Sequence, residues 1–440
     1  MNAGAPEMWL PPVIGGVLAI IFLLLALRAN KRQRLVDNLP TSKTTGVFIG
    51  LVEVKGTAEC AEPLISFLAE RRCVQYSYSV EEHWSRTVVE TYTDDKGNTR
   101  TRTRHESGWK SVASGDEMTP FYLKDDYGHL LIQPEGATLE PQSVFSVTCG
   151  PEDPLYYAKG PGWAVADSDH RRRFTEQAME LHVPLYILGQ ARERKDMVAA
   201  EIAADKNAPL YLISTRSEKE ISRSFGWAFW GWHFLGLLLA VSGVFFQQAR
   251  GAANGIAPGW LVLAGTLYIL TASVGWVWMA YNSLVDLRQR VRQAWSLVEV
   301  QLKRRHDLIP NLVTTVTGLR DYENTLQTEV AALRNQLTAT APGVAGPDFS
   351  AVGKVMLAVA ERYPELKAQP SFLNLQQNLA DTETRIALAR SYYNEIATQH
   401  NVRLEIIPDR FLAGLAKMQP QPLMAANDFE RASVVVKFAE

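Results

Sequence analysis

The sequence is short of the residues that usually announce chemistry. It has three cysteines, Cys60, Cys73 and Cys149, and no two of them are spaced as CxxC. Three thiols cannot complete a disulfide framework, and this usage fits buried free thiols in a reducing compartment. The histidines are few and scattered: His83, His105, His129, His170 and His182 form neither HxH nor HExxH, so no metal-ligand spacing is present. There is no GxSxG elbow, no Walker loop and no GxGxxG after a strand, which removes the usual signs of a serine hydrolase or a nucleotide site. An excess of one charge is missing too. With 45 basic and 47 acidic residues the net charge is −2, and no global basic field favours nucleic acid. Asp125 and Asp126 in "LKDDYGH" fall where a turn is expected, and turn chemistry accounts for them better than catalysis. No catalytic, cofactor-binding or metal residue is assigned, and no cofactor is expected.

What is abundant is apolar sequence. Residues 8–27, 225–246 and 256–281 are each long and uncharged enough to span a bilayer. The first run has no Lys or Arg before it and a basic cluster after it, the reverse of a signal peptide, and reads as a retained anchor. Arg28, Lys31, Arg32 and Arg34 follow it; Arg216, Lys219 and Arg223 precede the second run; Arg288, Arg290 and Arg292 follow the third; only Arg250 lies in the connection between the second and third. Positive residues favour the cytoplasmic side. The expected protein is therefore multi-pass in the cell (inner) membrane, with its amino end outside and both large soluble parts cytoplasmic. Trp227, Trp230, Trp232, Trp260, Trp276, Trp278 and Tyr281 suit interfacial positions. His233, among those tryptophans, is read as interfacial rather than as a proton relay.

Between the first two runs the pattern has mostly period two. "CVQYSYSVEEHW" and "RTVVETYT" read as strands, "DDKGN" (Asp94–Asn98) as a hairpin turn, and "TRTRTRH" as the returning strand with its arginines on one solvated face. "PFYLKD" and "HLLIQP" continue the strands, and "AEPLISFLAERR" (Ala61–Arg72) reads as a helix. A β-rich α+β domain is expected, with an open sheet or a barrel as its alternative forms.

After the third run, Leu284, Leu287, Val291, Trp295, Val298, Leu302, Ile309, Leu312, Val316 and Leu319 recur on one helical face, opposite Asp286, Arg288, Arg292, Glu299 and Lys303. The spanning helix is expected to run on to about Leu337, where the spacer "TATAPGVAGPD" (Thr338–Asp348) ends it, with a further helix from Asp348 to Glu361. A heptad helix follows through Phe372, Leu375, Leu379, Thr382, Ile386, Ala389, Tyr393, Ile396 and His400, expected to pack antiparallel on the first in coiled-coil fashion. His400 in that seam reads as a satisfied core or register-setting group. Leu287, Val291, Trp295, Val298, Ile386, Tyr393 and Ile396 form the candidate assembly seam. Pro310 removes a backbone donor and leaves the carbonyl of His306 without its helical partner. A kink is expected there, either bending the helix around its partner or serving function.

Two resemblances follow from longer stretches. "VKGTAECAEPLISFLAERRCVQYSYSVEEHW", "SGWKSV", "TPFYLKDDYGHLLIQPEGATLE", "LYILGQA" and "PLYLISTRSEKEI", in that order, resemble the GIDE domain over residues 46–224. That domain occurs in membrane-anchored ubiquitin ligases of mitochondria and in bacterial membrane proteins. In the ligases the transfer chemistry belongs to a separate zinc-binding RING, which three cysteines cannot supply. "YNSLVDLRQRVRQAWSLVEVQLKRRHDLIPNL", "RYPELKAQPSFLNLQQNLADTETRIALARSYYNEIATQHNVRLEIIPDRFLAG" and the terminal "VVVKF" are similar to the LemA family over about residues 278–438. That resemblance implies a membrane anchor continuing into a helical bundle, here residues 282–420 with a tail of 421–440.

The fold class expected is a multi-domain membrane protein: a β-rich α+β GIDE-like domain, three transmembrane helices and a LemA-like antiparallel helical bundle. The function expected is a noncatalytic scaffold or assembly protein. Its partners would be the membrane lipid bilayer, further copies of itself as a homo-oligomer and an unidentified protein, with no nucleic acid. The alternatives are a ligase-like or other enzyme activity in the GIDE-like domain, or a membrane signalling component.

Overall fold

The computed structural model describes residues 10–93, 99–194, 199–206, 208–251, 257–317 and 370–424. The turn expected at Asp94–Asn98, the spacer after Thr338, the helix of Asp348–Glu361 and the terminal "VVVKF" lie outside them. The chain forms two compact units, Ser42–Glu218 and the remainder.

The first unit is built of strands: β1 (Thr41–Ser42), β2 (Gly50–Glu59), β3 (Leu64–Ile65), β4 (Arg72–Thr93), β5 (Thr99–Met118), β6 (Phe121–Lys124), β7 (His129–Ile132), β8 (Thr138–Glu140), β9 (Gln142–Cys149), β10 (Ser168–Glu180), β11 (Pro184–Glu193), β12 (Ala200–Ala203) and β13 (Leu212–Ser214). One sheet runs β1-β2-β6-β7-β12-β11-β13-β8, and a further β2–β11 pairing closes five of its strands, β2, β6, β7, β12 and β11, into a barrel. Closure leaves those five strands without an unpaired edge. The period-two pattern fills the interior: Phe121 and Leu123 of β6, Leu130 and Ile132 of β7, Val52 and Val54 of β2, Ile187 of β11 and Ile202 of β12 share one core. Barrel strands approach closely at Gly56, where any Cβ would lie 2.3 Å from the carbonyl oxygen of Lys124; only glycine fits.

The second sheet runs β3-β4-β10-β9, with β5 paired to β4. Strand β10 accompanies β4 from Cys73 to Trp84. Beyond Trp84, β4 pairs only with β5, out to Thr93 opposite Thr99. This two-stranded ribbon runs for about 30 Å at about 3.4 Å per residue. Its register places Arg100, Arg102 and Arg104 on one face, opposite Tyr92, Glu90 and Val88. The threonines of the other face are solvated as well, since among the described residues no third strand covers them.

The α+β expectation is corrected here. Residues 61–72 are not a helix but a short strand, β3, and a turn. The amides of Leu68 and Ala69 donate to the Glu176 carboxylate at 2.9 and 2.7 Å, Ser66 N–H donates to Arg71 C=O, and Glu70 takes a positive φ of 54°. Leu68 then packs with Val80 and Phe174. Its i, i+3 apolar spacing suited a helix locally, but sheet burial and a buried carboxylate claimed the backbone donors instead. Among the described residues of this unit the single α-helix is the four-residue α2 (Leu155–Ala158).

A buried ion pair anchors the loop carrying α2. Arg172 is 1% exposed and Glu82 0%. The guanidinium donates to Glu82 Oε2 at 3.1 and 3.3 Å and to the carbonyls of Tyr156, Pro161 and Trp163 at 2.7–2.8 Å. The other Glu82 oxygen accepts from Tyr156 Oη and Ser168 Oγ.

The second unit contains α1 (Leu10–Asp37), α3 (Glu218–Gly251), α4 (Pro258–Thr317), α5 (Pro370–Glu405) and α6 (Asp409–Leu415). Helices α1, α3 and the first part of α4 are long and apolar enough to cross a membrane. They touch through small residues: a Cβ on Gly15 of α1 would sit 3.0 Å from Cα of Gly243 of α3, and Ala19 and Leu23 pack on Tyr268 of α4. Such contacts let helices associate where apolar burial from water supplies no force. The expected bundle is also corrected. Its described part is a pair of long helices, α4 and α5, with short α6, and it shares one compact unit with the apolar helices. Helix α4 continues without a break in its helical assignment from the apolar run to Thr317. The side chains from 305 to 317 lie outside the description, and the kink expected at Pro310 and His306 falls among them.

We expect Arg172→Ala to cost the first unit about 3–5 kcal/mol, because it leaves Glu82 buried and unpaired. Arg71→Ala, which removes an exposed pair with Glu180, should cost less than about 1 kcal/mol. Urea unfolding followed by tryptophan fluorescence distinguishes the two.

Candidate functional site

Several titratable groups of the first unit have local partners. His83 meets Asp169 at 2.6 Å and the edge of Trp109; His105 pairs with Thr87, and His182 with Glu59. Asp125 accepts from Thr44 N–H and Oγ1 and from the amides of Tyr127 and Gly128. Burial pushes its carboxyl up, but these hydrogen bonds outweigh burial and hold it below the usual range. The same competition leaves Glu82 lowered, through Ser168, Tyr156 and Arg172. Burial pushes the Cys73 thiol up to about 11 and raises Cys149 as well, the opposite of what a thiolate nucleophile needs. Among the described residues no three His, Cys, Asp or Glu side chains gather into a group able to hold a metal ion.

The seven seam residues meet in the second unit. Leu287, Val291, Trp295 and Val298 of α4 and Ile386, Tyr393 and Ile396 of α5 are all buried within this one chain. The rings of Trp295 and Tyr393 meet edge to face, centroids 5.4 Å apart. Trp295 Nε1 donates to Glu299 at 2.6 Å, and Tyr393 Oη to the carbonyl of Pro422 at 2.7 Å. Both indole and phenol thus keep a polar partner while their rings are packed. Asn38 joins Ser283 and Arg403 at one end, so rising numbers on α4 meet falling numbers on α5, and the pair is antiparallel. The described heptad positions Thr382, Ala389 and His400 are buried in the same stripe.

Two features were not read from the sequence. The first is a backbone zipper. Asn401 donates to Gln421 C=O and accepts from Gln421 N–H, at 2.8 and 2.7 Å, and Asn394 does the same with Met424, at 2.9 and 2.8 Å. Each carboxamide acts as a strand partner for the segment after α6, and the seven-residue spacing puts both on one face of α5. That spacing was the available signal.

The second is an ionic clasp. Asp409, at the start of α6, is 1% exposed. Both its oxygens accept from Arg34 of α1 at 3.0 Å; Arg403 of α5 stands 3.7 Å away and reaches Asp37 at 3.9 Å. Arg34 Nε also donates to Asn30, and the guanidinium lies 5.5 Å from the Trp276 ring centroid on α4. Asp37 accepts from Ser222 Oγ of α3 at 2.6 Å. Every long helix of the unit therefore places a residue in one polar knot. The pairing of residues 375 positions apart carries no local sequence signal.

Chemically, the seam and the clasp hold surfaces together. The chain matches two family models: LemA family over residues 294–438 and GIDE, described as E3 ubiquitin ligase, over residues 89–245. Magnetosome protein MamQ of Magnetospirillum gryphiswaldense is 24% identical over 208 residues, covering 40% of this chain and 75% of that protein. Protein LemA of Metamycoplasma hominis is 23% identical over 158 residues, 35% of this chain and 72% of that one. Magnetosome protein MamQ 2 of Paramagnetospirillum magneticum is 23% identical over 208 residues, again 40% and 75%.

Burial pushes the buried His400 imidazole down, with Arg288 adding to it against a long contact from Asn401. A lowered histidine favours the folded state above the unfolded value, about 6.5, and that stability is lost as pH falls below it toward the folded value. Thermal unfolding followed by circular dichroism should show the helical unit weakening on acidification below about pH 6.5, and His400→Leu should flatten that part of the profile. In the same assay Trp295→Ala should cost about 3–5 kcal/mol. The family matches lead to one statement: residues 294–438 are similar to the LemA family, and residues 89–245, which precede them, to the GIDE family.

Proposed function

We propose that the protein is a noncatalytic, multi-pass membrane scaffold whose β unit and α4–α5 pair both stand on the cytoplasmic side. The observation that supports this most directly is the Arg34–Asp409 clasp. It brings the end of α1 to the α5–α6 corner and to Trp276 of α4, the same ends that carry the basic residues Arg28, Lys31, Arg32, Arg288, Arg290 and Arg292. The unit offers long faces held in fixed register, the property a scaffold requires. Its relatives carry the names of LemA and magnetosome proteins, which agrees with a role other than catalysis.

Self-association belongs to the same proposal, since confinement to a bilayer raises effective concentration. The seam residues are consumed within the chain, so contacts between copies would use other faces. The ligase reading has one observation in its favour, the description of the family model matched over 89–245. Against it, the sequence holds three cysteines, Cys60, Cys73 and Cys149, too few for the ligand set of a zinc-binding RING.

In a background lacking the three native cysteines, Gly251→Cys should react with an impermeant maleimide in intact cells and Gly97→Cys should not. Labelling of Gly97→Cys alone would invert the topology. Light scattering in mild detergent should give a homo-oligomer. A strict monomer over a wide concentration range, with stoichiometric zinc and ubiquitin-transfer or nucleotide turnover, would replace the scaffold with an enzyme.

A further inference from the structure

The corner between α5 and α6 leaves large apolar side chains uncovered. Ile407 is 67% exposed, Phe411 68% and Leu415 85%, with Val402 and Ile406 beside them at 45% and 46%. Phe411 and Leu415 are four residues apart and share one side of α6. Asp409 and Ala413 occupy the opposite side and are buried. The short helix is therefore amphipathic in an unusual sense: its inner face is held by an ion pair, and its outer face is apolar. Contiguous exposed apolar side chains of this size mark a surface that something covers.

The location of α6 identifies what covers it. Its first residue is clasped by Arg34, and the Arg34 guanidinium lies over the ring of Trp276. Trp276, together with Trp278 and Tyr281, both exposed, closes the apolar run of α4. Aromatics at such positions sit at the headgroup level. The start of α6 is thus one arginine side chain away from the bilayer edge, and Leu415 is about 9 Å further along at about 1.5 Å per residue. Arg410 and Lys417, both exposed, flank the apolar face. Lys31, Arg32 and Arg34 line the end of α1 nearby. Apolar residues framed by cations are the composition of a helix lying in the plane of an anionic membrane surface.

We propose that α6 is an in-plane membrane anchor. Phe411 and Leu415 insert at the boundary between headgroups and acyl chains of the bilayer that α1, α3 and α4 cross, and Arg410 and Lys417 face lipid phosphates. The α4–α5 pair then stands on the membrane at two points, through the continuous helix α4 and through α6. This rests on the spanning reading of the apolar helices, and the test separates the two.

The full chain is reconstituted in nanodiscs of phosphatidylcholine with phosphatidylglycerol. Benzoylphenylalanine is placed in turn at Phe411, Leu415, Leu267 and Val300, and adducts after irradiation are identified by mass spectrometry. Leu267, 63% exposed within the apolar run of α4, reports the span; Val300, 59% exposed and far along α4, reports the aqueous side. The expected result is lipid adducts at Leu267, Phe411 and Leu415 and none at Val300. Adducts at Leu267 with none at Phe411 and Leu415 overturn the anchor and leave the span intact. Adducts at those two positions to a second copy of the chain overturn it in favour of a protein interface. Absence of lipid at Leu267 overturns the spanning reading itself.

Discussion

A carboxylate buried at 1% exposure is tolerable only when its charge is met, and in the helical unit Asp409 is met by Arg34 with two parallel hydrogen bonds. The rest of that unit is arranged around this requirement. Arg34 is itself held by Asn30 and by the face of Trp276; Arg403 bridges Asp409 and Asp37; and Ser222 completes Asp37. Removing Arg34 or Asp409 would leave the other short of its bidentate partner, so the knot favours one register among five helices rather than merely adding stability. Apolar packing, which is non-directional, could not by itself choose that register.

The β unit solves the same problem with the same chemistry. Arg172 and Glu82 are withdrawn from water together, and every remaining donor of the guanidinium is directed at a loop carbonyl. The loop that carries α2 is short of regular backbone pairing, and a buried arginine substitutes for a strand. In both units an arginine–carboxylate pair fixes elements that hydrophobic burial alone would leave free to slide.

The parts legible in the sequence were those governed by periodicity. The stripe from Leu284 to Val298 and its partner from Thr382 to His400 follow helical spacing and are buried as that spacing implies, and the alternation in "FYLK" and "HLLI" marks barrel strands. The parts that were not legible depend on distant partners. The segment Ala61–Arg72 has a helical pattern, yet Glu176, over a hundred residues later, takes its amides. Barrel closure through β2 and β11 joins Val54 to Ile187, a pairing no local signal announces. Asp409 looks like an ordinary residue after a proline, and Phe411 and Leu415 look like core. Only the fold shows that the polar side chain of this corner is inside and the apolar ones are outside.

Helix α4 runs from the apolar stretch that begins at Pro258 into the seam that reaches Val298, so the two are parts of one covalent element. From Tyr281 to Arg304 it extends about 35 Å at about 1.5 Å per residue, so a tilt of about 10° in the apolar part moves Arg304 by about 6 Å. Whatever sets the tilt of the apolar part is therefore felt well outside it. Because α5 packs along the same helix through Trp295 and Tyr393, the paired surface travels with it.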